Sequence, residues 1–188
     1  MSAPYEVVVG PYTVWLAPTG TSFPATNGSP SGSWFKLGTS GAKNYSEKGV
    51  TVTHSQTIGT FTPAGGTAAR KAFRTAEGIT VDFELADLTP EQYAEILNGA
   101  SVATAAGPPA IKTVQLEQGL SVSTFAMLVR GASPVNDTLN AQYQLPIVYQ
   151  SGNPAPVYTK GSVAMLACKF DLLEDASLLL GSWVAQTA

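Results

Sequence analysis

The stretch GITVDFELADLTPEQYAEILNG, residues 78–99, decides the fold class of this chain. Every second residue from Ile79 to Leu85 is apolar, and the residues between them are Thr, Asp and Glu. An alternation of period two with β-branched and aromatic residues on the apolar side is typical of a half-buried β-strand. The first half of the stretch is therefore a strand of a sheet that covers a core.

The second half of the same stretch predicts a short helix. Thr89 stands at the N-cap position, Pro90 suits the first helical position, and Gln92 has the spacing of a capping box. Asn98 and Gly99 supply a left-handed exit. A helix of about nine residues is not stable alone, so it must lie against the sheet.

Composition favours one mainly β domain over residues 1–188. Charged residues make up 12%, and the chain has 18 Gly and 13 Pro, so it is rich in turns and weakly charged. The low charge indicates a surface that partners cover. The net charge of −3 argues against general affinity for nucleic acid.

Several features bear on the cellular compartment. No stretch approaches the 18 or more apolar residues of a membrane span. The opening MSAPYEVVVGPY lacks the basic and long apolar regions of a secretory signal. Cys168 is the single cysteine, which excludes an internal disulfide and fits a reducing cytoplasm.

Short alternating runs recur along the chain with turns between them, as in an antiparallel β-sandwich or barrel. We predict an antiparallel sandwich with one flanking helix, long assembly loops, and mobile N- and C-terminal arms. Residues 18–33 are too polar to pack, residues 101–110 form a small-residue loop, and a long loop covers about 38–78. The predicted strands outside Ile79–Leu85 cover residues 5–9, 12–17, 33–38, 49–56, 112–118, 122–131, 141–150 and 161–174.

Charge is distributed unevenly along the chain. The stretch from Lys36 to Arg74 holds six of the ten basic residues and one acid, Glu47. The acids concentrate later in the sequence, after residue 76. Molecules with a basic flank and an acidic flank are suited to meet head to tail. The alternative is that these are ordinary solvated charges.

No combination of residues predicts catalysis, a cofactor site or a metal site, so we expect the protein not to be an enzyme. His54 has no nearby Cys, Asp or second His, and we interpret it as a structural or interface residue. Cys168 is interpreted as a small core residue. Asp82 and Glu84 share one face of a strand, as solvated or lumen-facing carboxylates. PAGGTAARK, residues 63–71, lacks the spacing of a phosphate-binding loop.

Residues 50–99 resemble the middle of the major tail tube protein of long-tailed (siphovirus-type) bacteriophages. The unit T-x-E-G-x-T-V-x-F-x-L-A-D-L-T-x-E-x-x-A, residues 75–94, carries the resemblance. The segments 7–24 and 161–177 are similar in style, whereas 101–110 and 178–188 match no diagnostic pattern. The resemblance spans most of the chain and is specific only over residues 50–99.

This resemblance implies a virion protein that assembles in the host cytoplasm as hexameric rings. The rings stack into a hollow tube through which DNA passes without specific binding. Six subunits would give four strands each to the tube wall. The implied partners are other copies of the chain and the tape measure, tail terminator and distal tail proteins, with no cofactor and no membrane.

The resemblance also implies roles for particular residues. The lumen of such tubes is usually negative, and Asp82 and Glu84 would face it. The long loop would reach a neighbouring ring or subunit, with Phe61 and Phe73 as apolar anchors and three basic residues as charged contacts. The basic residues of this predicted contact are Arg70, Lys71 and Arg74.

Two alternatives stay open. One is the ring-forming Hcp-like tube protein of a type VI secretion system, which shares the fold implied here. The other is a carbohydrate-binding sandwich of the virion, which needs aromatic side chains on one exposed face. The candidates for that face are Tyr12, Trp15, Tyr45 and Tyr149.

Overall fold

The computed structural model describes residues 7–8 and 10–187, so the predicted strand at 5–9 and the N-terminal arm lie mostly outside the described residues. Within these residues, ten strands and one α-helix follow one another. They are β1 (Thr13–Pro18), β2 (Phe35–Lys36), β3 (Tyr45–Phe61), β4 (Lys71–Leu85), α1 (Pro90–Ile96), β5 (Val102–Ala105), β6 (Ile111–Val114), β7 (Thr124–Ala132), β8 (Asn140–Gln150), β9 (Leu166–Leu172) and β10 (Ser182–Ala185).

The main sheet has eight strands, all paired antiparallel. Seven of them run in the order β2-β1-β7-β8-β9-β4-β3, and β10 also pairs with β8. β10 pairs with residues 141–144 of β8, and β9 pairs with residues 148–150 along the same edge of β8. The sheet therefore divides along β8, and the predicted mainly β, antiparallel, sandwich-like fold with a single helix is confirmed.

Alternate residues of the strands form the core, as the period of two requires. Phe83 of β4 stacks on Phe170 of β9 with ring centroids 6.1 Å apart, and the ring centroid of Tyr45 lies 5.5 Å from that of Phe83. Cys168 is buried in the same cluster, as predicted, and Ile96 of α1 closes it. The strand and helix of residues 78–99 thus both contribute to one core.

The start of α1 differs from the predicted capping box. Thr89 occupies the N-cap in an extended conformation, but its side chain makes no capping hydrogen bond. Gln92 instead turns away from the helix: its Oε1 accepts a hydrogen bond from Gly38 N at 2.9 Å, and its Nε2 donates to Lys36 O at 3.4 Å. Gln92 thus links the helix to the chain after β2. The predicted capping box is wrong because the side-chain amide of Gln92 bonds to these backbone groups and not to the N-cap.

The end of α1 follows the sequence closely. Asn98 and Gly99 both have positive φ, at 62° and 67°. The N–H of Ala100 then donates to the carbonyl of Ala94 at 2.9 Å, which closes the last turn of the helix.

The predicted long loop at about 38–78 is wrong. β3 and β4 pair from Val50–Phe83 out to Phe61–Lys71, so only residues 62–70 connect them. β4 pairs with β9 only between Thr80 and Leu85. Residues 54–79 therefore extend beyond the sheet as a two-stranded hairpin, which we call the arm.

The prediction that residues 18–33 do not pack is also wrong. Residues 19–34, here called the covering segment, lie on the face of β1 and β7 opposite the main core. Trp34 is buried there with Ala126 and Leu128, and its ring centroid lies 5.4 Å from that of Phe23. Trp34 Nε1 also donates to Ser22 O at 3.1 Å.

Two short strands were not predicted. β5 lies where a small-residue loop was expected at 101–110, and it forms a separate two-stranded sheet with β6, which overlaps the predicted strand at 112–118. Near the C-terminus, β10 pairs with β8 through residues that matched no pattern. Among residues 7–8 and 10–187, no helix is long and apolar enough to cross a bilayer.

Candidate assembly surfaces

The arm carries all five residues that the sequence predicted as contacts between subunits. Phe61 ends β3, Lys71 begins β4, and Arg70 lies in the connection between them. Phe73 and Arg74 are the third and fourth residues of β4. Phe61 is 57% exposed and Phe73 47%, so the far end of the arm presents two aromatic rings to solvent.

Strand register explains how the aromatic rings are held. Gly59 pairs with Phe73, and Phe61 pairs with Lys71, so these four residues share one face of the hairpin. A Cβ added to Gly59 would lie 2.8 Å from the ring of Phe73, which shows that the ring lies against the glycine backbone. Gly59 therefore provides the space that the ring occupies. We call the side chains of Phe61, Lys71 and Phe73 the arm-tip face.

Arg74 points to the opposite face of the arm. A register shift between Thr57 and Ile58 marks a β-bulge, and Arg74 follows it. Its Nε donates to Gln56 Oε1 at 3.1 Å, and one Nη donates to Glu77 Oε2 at 2.9 Å. Arg74 thus has partners within the arm, whereas Arg70 and Lys71 have no carboxylate partner among the described residues.

Asp82 and Glu84 lie on the face of β4 that is turned away from the core. Each stands beside a lysine: Glu84 Oε1 is 2.7 Å from Lys48 Nζ, and Asp82 pairs in register with Lys169. The hydrogen bond from Lys48 lowers the pKa of Glu84. A groove of about 410 Å³ runs over these four side chains. This face is polar and of mixed charge.

The sheet ends in a long strand with one open edge. β3 has 17 residues and pairs only with β4 in the part of the chain that the structure describes. Its outer row of N–H and C=O groups is a template for another strand. At the other end of the sheet, β2 covers only two residues of β1.

Exposed apolar side chains are numerous outside the arm as well. Most of them lie in three groups that are close in sequence, and exposed apolar surface can mark an interaction site. The groups are Ile111, Leu116, Leu120 and Val122; Val157, Tyr158 and Val163; and Leu173, Leu178 and Leu179. The third group was missed in the sequence, although leucines and acids stand side by side in LLEDASLLL, residues 172–180.

The four aromatic residues proposed for a carbohydrate face are not brought together. Tyr45 is buried, where its hydroxyl donates to Leu37 O and accepts from Val14 N, both at 2.9 Å. Burial raises its pKa well above the ordinary value. Tyr12 packs against the same core, whereas Trp15 packs under the covering segment on the opposite face. These side chains form no common platform with Tyr149.

The remaining titratable candidates are separated. His54 is exposed on the arm, paired with Ile79, in a groove that Arg74 and Glu77 also line. Burial raises the pKa of the Cys168 thiol, which keeps the group protonated. Over residues 7–8 and 10–187, no group of three or more His, Cys, Asp or Glu side chains could hold a metal ion.

Comparison with known proteins adds no family. No protein-family model matches the chain. A search of the curated proteins found no match either. The features of the molecule that bear on its function are the arm, the open sheet edge and the exposed apolar groups.

Proposed function

We propose that this protein is a structural subunit that assembles as stacked hexameric rings into the hollow tail tube of a long-tailed bacteriophage. The observation that carries the proposal is the arm, a hairpin that projects beyond its own sheet with aromatic side chains on its far end. Such a hairpin buries little apolar surface within its own chain, and a partner surface gives it a physical reason to exist.

The energetic argument concerns the apolar side chains of the arm. Ile58, Phe61 and Phe73 are each roughly half exposed. Complete burial of a side chain of this size contributes about 1.5–3 kcal/mol. Phe61 and Phe73 share one face of the hairpin and Ile58 lies on the other, so their burial favours partner surfaces on both faces, and identical subunits supply such surfaces at every position of a tube.

The open edge of β3 favours the same kind of assembly. A strand of another chain can add to this edge, and a closed ring of sheets leaves no edge unpaired. The arm continues this edge strand, and in the proposed tube it contacts a different surface of the neighbouring subunit. Head-to-tail contacts of this type close into rings or continue as filaments.

The polar face of β4 and β9 suits the wall of a channel. Asp82, Glu84 and Asp171 stand on it with Lys48 and Lys169 beside them. Lys48 forms an ion pair with Glu84, and Lys169 lies opposite Asp82 in strand register. A wall on which acids accompany the lysines in this way attracts a polyanion weakly, so DNA releases few counterions there and slides. We infer that DNA passes without specific binding. The tape measure, tail terminator and distal tail proteins would be the further partners.

The test is negative-stain electron microscopy of the purified chain, with light scattering over a concentration series. We expect rings or tubes of uniform width above a threshold concentration. The matched control replaces residues 59–73 by a two-residue turn, which shortens the arm and leaves the core intact. This variant should remain a folded monomer. A wild-type chain that is monomeric at every concentration contradicts the proposal.

A further inference from the structure

The turn at residues 173–180 holds leucine side chains in solvent. Leu173, Leu178 and Leu179 are all about half exposed or more. Asp175 and Leu179 exchange two backbone hydrogen bonds of 2.9 Å each, which closes the turn. Leu179 has a φ of +53°, a left-handed conformation that costs a residue with a Cβ about 1 kcal/mol. We call residues 173–180 the leucine turn.

The leucine turn also carries negative charge. Glu174 is exposed and Asp175 is partly exposed. Asp175 accepts hydrogen bonds from the backbone N–H groups of Ser177 and Leu178, both at 2.8 Å. Neither carboxylate forms an ion pair with a described residue. The turn is thus an apolar surface with uncompensated acids.

The other two exposed apolar groups have a different charge. In the group that includes Ile111, the neighbouring Lys112 is already paired with Glu91. The group that includes Val157 contains Lys160 and no acid. The group that includes Ile111 also holds one exposed acid without an ion pair among the described residues, Glu117, whereas the leucine turn holds two adjacent acids, Glu174 and Asp175. The leucine turn therefore gives the stronger charge complement to Lys71 and Arg70 at the arm tip.

The arm tip cannot reach the leucine turn of its own chain. Leu180, at the end of the turn, lines a groove with His54 and Glu77 at the base of the arm. Phe61 lies seven residues beyond His54 along β3, which corresponds to about 23 Å of extended strand. A contact between the two surfaces must therefore join two molecules.

We propose that the arm-tip face docks on the leucine turn of a second copy of this chain. The inference rests on the proposed function and adds to it the identity of the receiving surface. Phe61 and Phe73 pack on the exposed leucines, and Lys71 faces Glu174. Because donor and acceptor are different surfaces, each molecule keeps one free surface of each kind and the contact repeats without a built-in end.

A charge exchange tests this contact. Lys71→Glu and Glu174→Lys each place like charges opposite one another, and we expect each to raise the threshold concentration for assembly roughly tenfold. The double variant restores opposite charges and should return the threshold to within about threefold of wild type. The matched controls are Lys160→Glu and Asp137→Lys, which reverse exposed charges outside both surfaces. They should leave the threshold unchanged.

The outcomes separate this contact from the proposed function. If the wild type forms tubes and the double variant assembles no better than the worse single variant, the contact is wrong and the tube stands. If the wild type forms only small oligomers, the same variants are compared by sedimentation velocity. Rescue there supports the contact and contradicts the tube. A wild type that does not associate at all overturns both.

Discussion

The covering segment and the arm are both rich in Gly and Thr and have few aliphatic residues, but they pack differently. The covering segment also has several Ser and no charged residue, whereas the arm has several Ala and carries charged residues. The covering segment lies flat on β1 and β7 around Trp34, whereas the arm extends from the sheet with its aromatic rings exposed. The difference is set by what each segment meets elsewhere in the chain.

The sheet supplies the covering segment with hydrogen-bond donors. Gln142 Nε2 donates to Pro24 O at 2.9 Å and Asn140 Nδ2 donates to Thr26 O at 3.1 Å. Arg130 also donates to the carbonyl of Thr26. These side chains satisfy carbonyls that have no strand partner. The arm needs no such help, because its two strands satisfy one another.

The order of a segment's backbone and the burial of its side chains are therefore separate properties. The covering segment has few backbone hydrogen bonds of its own, yet it buries Trp34 and partly buries Phe23 against the sheet. The arm has a continuous ladder and is exposed. A segment that is ordered by its own ladder while its aromatic rings stay in water is suited to bind another molecule.

The largest expected effect is on the covering segment. Trp34→Ala removes the ring that joins Phe23 to the face of β7, and we expect the free energy of unfolding to fall by about 3 kcal/mol. The matched change in the arm, Phe73→Ala, should lower it by less than about 1 kcal/mol, because that ring is half exposed. Urea unfolding of both variants measures the difference. Equal losses would mean that the arm is packed in the monomer.

A smaller loss of stability is expected when Asp87 is replaced. Its side chain links the turn after β4 to the chain before β3. Its Oδ2 accepts hydrogen bonds from the N–H of Thr39, at 2.8 Å, and from the Thr39 hydroxyl. Burial by itself raises the pKa of Asp87, but these bonds and that from Thr89 outweigh it and hold the pKa below its ordinary value. Asp87→Ala should cost about 2 kcal/mol at pH 7.

The sign of the pH dependence follows from that lowered pKa. The contribution of Asp87 is complete above the unfolded pKa of about 3.9 and is lost as the pH falls through the folded pKa. The difference in the free energy of unfolding between wild type and Asp87→Ala should therefore become smaller below about pH 4. Denaturation at pH 7, 4 and 3 measures it. A difference that grows in acid would contradict this assignment.

The sequence predicted the parts of the fold in which local pattern and burial agree. Alternation from Ile79 to Leu85 marks a strand because Val81, Phe83 and Leu85 line the core. Beyond His54 the alternation stops, although β3 continues to Phe61. Because the arm covers no core, its residues need not alternate between apolar and polar. The sequence therefore predicted a loop there.

The covering segment was mispredicted for another reason. Its carbonyls are satisfied by Gln142 and Asn140, more than 110 residues away along the chain. No local pattern contains that information. The arm contacts were predicted together because basic residues cluster locally between 70 and 74, whereas the leucine turn becomes visible only when exposure is known.

A substitution at Gln142 is a third test of the difference between the covering segment and the arm. Gln142 is fully buried on β8, and its amide donates to the covering segment. Gln142→Met keeps the volume but leaves Pro24 O without its donor. We expect a loss of about 1 kcal/mol, since the unpartnered Oε1 is removed at the same time. Hydrogen exchange should show faster opening of residues 19–34 and no change in the arm. Faster exchange in the arm as well would mean that the two segments are coupled.

The smallest expected effect on the monomer is in the arm. Glu77→Gln removes the ion pair with Arg74, in which both side chains are more than half exposed. Such pairs contribute little, so urea unfolding should change by less than about 0.5 kcal/mol. The change leaves the arm one charge more basic, and if the arm docks on an acidic turn, the assembly threshold should fall, by about twofold. A loss of more than about 1 kcal/mol would instead mean that the pair stabilises the fold. The arm would then be part of the folded body, and its difference from the covering segment would disappear.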